Sequence, residues 1–232
     1  MRIRAISFDL DDTLWPIAPV MQRAEEHLHQ WLLKHCPAVA QAFPLTALRE
    51  LREQVAKQHP QLAHDFSALR KITLRTAFSP FGFDESWVER AFEEFHSARN
   101  EVECYDDVLP ALQRIAELVP VISISNGTAD LARIGISGYF HFHISARECG
   151  VAKPDAAIFR NACERLALHP SSVLHVGDDP KLDIEGARSA GMQTAWINRS
   201  SAMWQAEQLP DLTISDLGAL RVWLEQHLLT EN

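Results

Sequence analysis

The sequence predicts an α/β protein in which a mostly parallel sheet core is interrupted by an inserted all-helical segment. Residues from about 17 to 103 carry apolar positions at three- and four-residue steps, with almost no strand signal. From about residue 104, short β-rich runs alternate with helical segments, which is typical of a parallel sheet covered on both faces. The apolar run from 3 to 8 has no strand partner close by in the sequence, so it belongs with the later sheet.

These patterns predict two domains. Residues 1–15 and 104–232 form a Rossmann-like α/β core, and residues 16–103 form an inserted helical cap. Within the cap, proline residues separate about four helices, one of which carries Leu28, Trp31 and Leu32 at helical spacing.

The core elements follow in order along the chain. The expected strands after the first are VPVISISNG, HFHISA, SSVLHVGDD and QTAWIN. The expected helices are 106–118, 155–167 and 183–190, with a last strand and a closing helix between Leu212 and Leu229.

Composition limits the classes of partner. The formal net charge is −9 and no Lys/Arg block occurs, which argues against nucleic acid and anionic membranes. A small phosphorylated metabolite remains compatible, because a metal ion, one lysine and helix N-termini supply enough local positive potential. The apolar N-terminal stretch is too short for a signal peptide, and four scattered cysteines are typical of reduced thiols. We expect a cytoplasmic monomer or homodimer.

The stretch FDLDDTLW, residues 8–15, places Asp9, Asp11 and Asp12 directly after an apolar run. Two carboxylates about 4 Å apart repel each other by roughly 4 kcal/mol at an effective dielectric constant near 20. An ordinary turn is one explanation, because aspartate accepts backbone hydrogen bonds and caps helices. A bound divalent cation is another, because it makes such crowding favourable.

Polar groups also follow other predicted strands and precede one helix. Ligands of open parallel sheets bind at the carboxyl ends of the strands, so these groups are expected to meet there. They are Ser125, Asn126, Lys153, Asp178, Asp179 and Asp183.

Together these groups suit phosphoryl transfer to a carboxylate. An aspartate can attack phosphorus and form an aspartyl-phosphate, which splits one difficult step into two. Ser125 and the Asn126 amide can donate to phosphate oxygens, while Lys153 neutralises their charge. Asp11 lies beyond the strand end, where it can reach the leaving group as an acid and later a base. Mg2+ prefers oxygen ligands such as these carboxylates.

The motifs D-x-D-x-T at 9–13, Ser-Asn-Gly at 125–127, Lys153-Pro154 and G-D-D-x-x-x-D at 177–183 resemble the haloacid dehalogenase (HAD) superfamily. The four motifs occur in order over nearly the whole core. The resemblance implies that Asp9 is the nucleophile and Asp11 the acid/base. A helical insert after the first motif is typical of members with the helical type of cap.

The resemblance also implies the ligand sets. Mg2+ would be bound by Asp9, the Asp11 carbonyl and Asp178. Phosphate would be bound by Ser125, Asn126 and Lys153. Asp183 and Thr13 would support the metal ligands without binding the metal ion themselves. Asp179 would either do the same or cap the following helix.

Within the superfamily, true dehalogenases do not use the second aspartate as acid/base and need no Mg2+. Asp11, Asp178 and Asp183 therefore favour a phosphatase. Sugar phosphomutases share the same core, and phosphonate hydrolases use a cap lysine, so both remain alternatives. A non-catalytic module that binds phosphorylated metabolites is disfavoured, because none of the motif residues is missing.

The run of motifs is similar to bacterial flavin mononucleotide phosphatases with helical caps, a branch implicated in riboflavin metabolism. This similarity implies flavin mononucleotide or a ribityl-phosphate precursor as substrate. Trp15 follows the catalytic loop and has two interpretations: it stacks on a flat ring, or it packs as a hydrophobic residue.

Overall fold

The structure, a computed structural model, describes residues 3–229, with only the backbone of Leu229. It divides into two compact units. The core unit contains the chain up to Pro16, Glu103–Gly127 and the chain from Gly135 onward. The helical unit contains Ile17–Val102 and Thr128–Ile134. The action of the helical unit as a cap stays a prediction.

One sheet of six strands forms the centre of the core unit. The strands are β1 (Ala5–Phe8), β2 (Val121–Ser125), β3 (Phe142–Ser145), β4 (Val173–Gly177), β5 (Gln193–Ile197) and β6 (Leu212–Ile214). Every neighbouring pair is parallel, in the order β3-β2-β1-β4-β5-β6. The predicted α/β class is confirmed. The strand order reverses at β1, so the carboxyl ends of β1 and β4 form the switch point at which such sheets bind ligands.

Helices occur in both units, and no helix within the described residues is long and apolar enough to span a membrane. Those of the helical unit are α1 (Ile17–His35), α2 (Pro37–Ala42), α3 (Leu45–Gln58), α4 (Phe66–Phe78), α5 (Glu85–Arg99) and α7 (Leu131–Ile134). Those of the core unit are α6 (Val108–Leu118), α8 (Ala146–Cys149), α9 (Ala156–Leu166), α10 (Gly186–Ser189) and α11 (Leu217–Leu229).

The helical unit has its own hydrophobic core. Leu28, Trp31 and Leu32 are buried in this cluster, as their three- and four-residue spacing predicts. The sequence pattern did not predict the short helix α2 as a separate element. It begins at Pro37, which fits the first turn of a new helix because proline lacks an N–H to continue the previous one.

The core strands β1, β2 and β4 are buried along their whole length. Continuous burial is expected of central strands in a parallel sheet that is covered on both faces. The predicted helix at 183–190 begins earlier, as a π-helical segment Pro180–Glu185 that continues into α10. Asp179 begins this segment, because its carboxylate accepts the N–H groups of Lys181 and Leu182.

Candidate active site

Asp9 and Asp178 lie side by side at the carboxyl ends of β1 and β4. The Asp9 N–H donates to the Val176 carbonyl at 2.9 Å, which extends the pairing of the two strands by one residue. The Thr13 hydroxyl lies 3.2 Å from Asp9 Oδ2 and 3.0 Å from Asp178 Oδ1. A hydroxyl has a single proton to donate, so the two carboxylates share the Thr13 hydroxyl as a donor.

The chain turns sharply after Asp9. Asp12 adopts a φ of 60°, a left-handed conformation that aspartate tolerates better than most residues. Its N–H donates to the Trp15 carbonyl at 2.7 Å, and the Leu14 N–H donates to the Leu10 carbonyl at 2.8 Å. These bonds close a tight loop that carries Asp11 and Thr13.

Lys153 brings a buried positive charge to Asp9. Its ammonium group donates to Asp9 and, at 2.6 Å, to Asp183. Asn126 holds the Lys153 backbone, since its side chain accepts the Lys153 N–H at 2.8 Å and donates to the Lys153 carbonyl at 3.0 Å. The Ser125 hydroxyl accepts the Gly127 N–H at 2.9 Å. Of the predicted phosphate ligands, Lys153 thus contacts Asp9 directly, whereas the Asn126 side chain is occupied by the Lys153 backbone.

Burial and charge act in opposite directions on these groups. Burial raises the pKa of Asp9 well above its usual value, against the opposing effect of Lys153. Burial would also raise the pKa of Asp183, but Lys153 and His175 bring it below its usual range. Burial would lower the pKa of Lys153, whereas Asp183 and Asp9 raise it above its usual range. Lys153 and Asp183 therefore form a charged pair.

One lysine leaves excess negative charge among the neighbouring carboxylates, and this excess suits a divalent cation. Oxygen atoms of Asp9, Asp178 and Asp183 lie within 4.8 Å of one another. Burial and the charges of Asp183 and Asp12 raise the pKa of Asp178 to about 7, which shows how unfavourable a further negative charge is there. An all-oxygen donor set with excess negative charge fits Mg2+.

Asp183 supports the other groups through bonds on both of its oxygens. Oδ1 accepts from Lys153 and lies 3.3 Å from His175 Nε2, and Oδ2 accepts the Asp179 N–H at 3.0 Å. A Cβ atom built at Gly177 would overlap the Asp183 carboxyl group, so glycine is required for this approach. Of the two functions considered for the Asp179 side chain, the structure shows the helix cap.

The sequence did not indicate Ser7 and His175 as site residues, and it left two interpretations of Trp15. Ser7 and His175 are register partners in β1 and β4, with Ser7 Oγ 2.8 Å from His175 Nδ1. The available signal was one polar residue inside each of two otherwise apolar strands. Trp15 is buried, as the packing interpretation expects, and its indole N–H also donates to Asp11 Oδ1 at 2.8 Å.

A cavity of about 420 Å³ lies in the core unit beside Asp12 and Asp178. Tyr105, Trp196 and Arg199 are among its lining residues. The Arg199 guanidinium pairs with Asp107 and lies over the Tyr105 ring at 3.9 Å, so its charge is already compensated. The volume is that of a site for a small organic molecule.

Comparison with known proteins yields phosphatases and a dehalogenase. The chain is 31% identical over 227 residues to the 5-amino-6-(5-phospho-D-ribitylamino)uracil phosphatase YigB of Escherichia coli, covering 94% of this chain and 95% of the relative. It is 29% identical to a glyceraldehyde 3-phosphate phosphatase of Methanopyrus kandleri, covering 85% and 84%. The crystal structure of a 2-haloacid dehalogenase from Pseudomonas syringae matches with a TM-score of 0.90 and 35% identity, over 99% of this chain and 100% of that chain.

A family model described as haloacid dehalogenase-like hydrolase matches residues 3–191. The predicted family and the prediction of an enzyme are therefore confirmed. With its family motifs at the ends of parallel strands, the chain belongs to the haloacid dehalogenase-like hydrolases.

Proposed function

We propose that this protein is a Mg2+-dependent phosphomonoester hydrolase that acts through an aspartyl-phosphate intermediate on Asp9. The observation that carries the proposal is the cluster of Asp9, Asp178 and Lys153 at the switch point of the sheet. It combines a carboxylate nucleophile, a buried cation for the phosphate and a pair of carboxylates for a metal ion. The relatives of this protein that are named as phosphatases support the same reaction class.

In the first step, an oxygen of Asp9 forms a bond to phosphorus while the bond to the leaving oxygen breaks. Asp11 gives its proton to that oxygen, which leaves as an alcohol. Lys153 and the Ser125 hydroxyl bind the phosphoryl oxygens, whose negative charge they balance. In the second step, Asp11 takes a proton from water as the water oxygen attacks phosphorus. The bond to Asp9 then breaks and inorganic phosphate leaves.

Asp9, Asp178 and the Asp11 carbonyl would hold Mg2+, which supplies positive charge to the phosphoryl group. Asp183 is assigned a supporting function instead, because both of its oxygens already accept hydrogen bonds from Lys153 and from the Asp179 N–H. Thr13 orients the two metal-binding carboxylates through its shared hydroxyl.

The proposed substrate is a small ribityl-phosphate compound or flavin mononucleotide. The motifs and the similarity to the E. coli relative over 94% of this chain support this class. Glyceraldehyde 3-phosphate is the next choice, from the relative in M. kandleri. Cytoplasmic location and a monomeric or dimeric state stay predictions.

Dehalogenation is the second candidate, favoured by the similarity to the P. syringae structure. Displacement of halide from carbon requires a carboxylate nucleophile but no proton for the leaving group. It would leave Asp11 and the carboxylate pair of Asp9 and Asp178 without a function in the chemistry, so phosphate transfer accounts for more of the site.

The test is a substrate panel with Mg2+ and with chelator. It contains 5-amino-6-(5-phospho-D-ribitylamino)uracil, flavin mononucleotide, glyceraldehyde 3-phosphate, phosphoserine and 2-chloropropionate, with phosphate and chloride release measured. Asp9→Asn is the test variant and Asp106→Asn, at an exposed position, is its control. We expect Mg2+-dependent phosphate release that Asp9→Asn abolishes and Asp106→Asn retains. Chloride release would establish a dehalogenase instead, and no release of either ion would leave the mutase, the phosphonate hydrolase or the binding module.

A further inference from the structure

We propose that Trp15 is a positioning residue for the acid/base group of Asp11, an inference that rests on the proposed phosphatase function. The indole N–H of Trp15 donates to Asp11 Oδ1 at 2.8 Å. This bond holds the carboxyl group in one orientation, in which Oδ2 carries the proton to and from the reacting oxygens.

The donor is itself held in place. Trp15 is completely buried, at 0% exposure, and its carbonyl accepts the Asp12 N–H at 2.7 Å. Asp11 and Trp15 also pair as an isolated parallel β-bridge. Backbone and side chain of Trp15 therefore both act on the short loop that carries Asp11, and a fixed donor restricts the rotamers of its acceptor.

Packing alone does not account for this contact. A leucine or phenylalanine would fill apolar space at position 15 without an N–H group. An indole N–H is a donor only, and a buried donor needs an acceptor. The acceptor that Trp15 uses is the carboxyl group whose distance to the leaving oxygen determines whether proton transfer occurs. Complete burial also leaves no ring face for stacking on a substrate.

The proposal has a chemical signature. When the bond between phosphorus and the leaving oxygen breaks, that oxygen takes the electron pair of the bond. An alkoxide needs the proton from Asp11 at this point, whereas p-nitrophenolate is stable without one. Misplacing Asp11 should therefore slow the cleavage of alkyl phosphates much more than that of p-nitrophenyl phosphate. A general loss of structure would slow both equally.

The experiment compares kcat/KM of wild-type enzyme and Trp15→Phe with Mg2+ on two esters. This parameter reports formation of the aspartyl-phosphate and not its later hydrolysis, in which Asp11 would act in the same way for both esters. The alkyl ester is flavin mononucleotide, or glyceraldehyde 3-phosphate if it is turned over faster, and the aryl ester is p-nitrophenyl phosphate. We expect kcat/KM on the alkyl ester to fall about tenfold or more and kcat/KM on the aryl ester to fall less than roughly threefold. Trp223→Phe is the control, since Trp223 lies in α11 and its ring stacks on His227, away from Asp11.

Further comparisons make the outcome decisive. In an Asp11→Asn background, Trp15→Phe should have almost no additional effect on the alkyl ester, because its action passes through Asp11. A parallel loss of kcat/KM on both esters, or full additivity with Asp11→Asn, would overturn the proposal. No turnover of either ester by wild-type enzyme would overturn the phosphatase function and this inference with it.

A second measurement tests the proposal even if Trp15→Phe does not fold. The chain has six tryptophans, whose indole N–H signals can be followed by 15N labelling. In Asp11→Ala one of these signals should move upfield and exchange faster with solvent, and in Asp106→Ala none should. Six unchanged signals in Asp11→Ala would refute the bond.

Discussion

Lys153 and Asp183 form a buried ion pair, with the ammonium nitrogen 2.6 Å from the Asp183 Oδ1 atom and both side chains at most 3% exposed. The same ammonium group donates to Asp9. One lysine thus contacts two carboxylates and reduces the repulsion between them in a medium of low dielectric constant. Asp9, the proposed nucleophile, and Asp183 therefore depend on the same positive charge.

Replacing Lys153 should therefore affect both stability and activity. Removing one partner of a buried ion pair costs about 3 kcal/mol or more, because the other charge is left uncompensated. We expect Lys153→Met to lower the free energy of unfolding by about this amount in chelator and to lower kcat at least about a hundredfold. Urea unfolding and phosphate release measure the two effects. Lys181→Met, at an exposed position, is the control, and equal behaviour of the two variants would contradict the shared charge.

Gly177 should not tolerate a side chain. A Cβ atom at this position would overlap the Asp183 carboxyl group and push it away from Lys153. We expect Gly177→Ala to lower stability by about 1–3 kcal/mol and to reduce phosphate release at least about tenfold. Gly138→Ala is the control, since a Cβ atom there meets nothing within 4 Å. A fully active Gly177→Ala would show that Asp183 can be moved without consequence.

The sheet contains two similar Ser–His pairs, and only one of them should matter for catalysis. Ser7 lies 2.8 Å from His175, and Ser123 lies 2.8 Å from His143. Burial lowers the pKa of His175, so its neutral ring can accept from Ser7 at Nδ1 and donate to Asp183 from Nε2.

We therefore expect Ser7→Ala to leave His175 Nδ1 without its donor, to cost about 1–3 kcal/mol of stability and to lower kcat. Ser123→Ala should cost no more stability and leave kcat close to the wild-type value. Thermal unfolding and phosphate release compare the two variants. Equal kcat in both would count against an effect of His175 on Asp183.

Glu25 should make the stability of the helical unit depend on pH. Burial alone would raise its pKa, but hydrogen bonds and charge from Arg49 and Arg52 lower it below the usual value. A carboxylate whose pKa is lower in the folded state stabilises that state above its unfolded pKa of about 4.3 and loses this contribution as the pH falls further.

We expect Glu25→Gln to be less stable than wild type by about 1 kcal/mol at pH 7 and by much less at pH 3. Chemical unfolding at the two pH values measures the gap. Glu93→Gln removes an ion pair between exposed side chains and should change stability by less than about 0.5 kcal/mol at either pH. A gap for Glu25→Gln that stays constant with pH would exclude the titration of Glu25 as its cause.

The fold class and the family could be predicted because their signals are local. Helical spacing before residue 103 and short apolar runs after it distinguish the two kinds of structure without any knowledge of long-range contacts. Asp9, Ser125 and Asp178 could be chosen as candidates because each ends or directly follows a strand. Their functions in catalysis stay predictions, but their convergence follows from parallel strands ending at one edge.

The contacts between these residues were decided by the tertiary structure alone. Lys153 is 144 residues from Asp9 in the sequence, and Ser7 is 168 residues from His175. Both pairings depend on strand order and register, which arise from packing of the whole sheet and leave no local pattern. Trp15 and Asp11 are only four residues apart in the sequence, yet their hydrogen bond depends on the turn at Asp12 and on the orientation of the indole ring. The ends of the predicted strands therefore indicated which residues could meet at the site, whereas the folded chain determined which of them bond to each other.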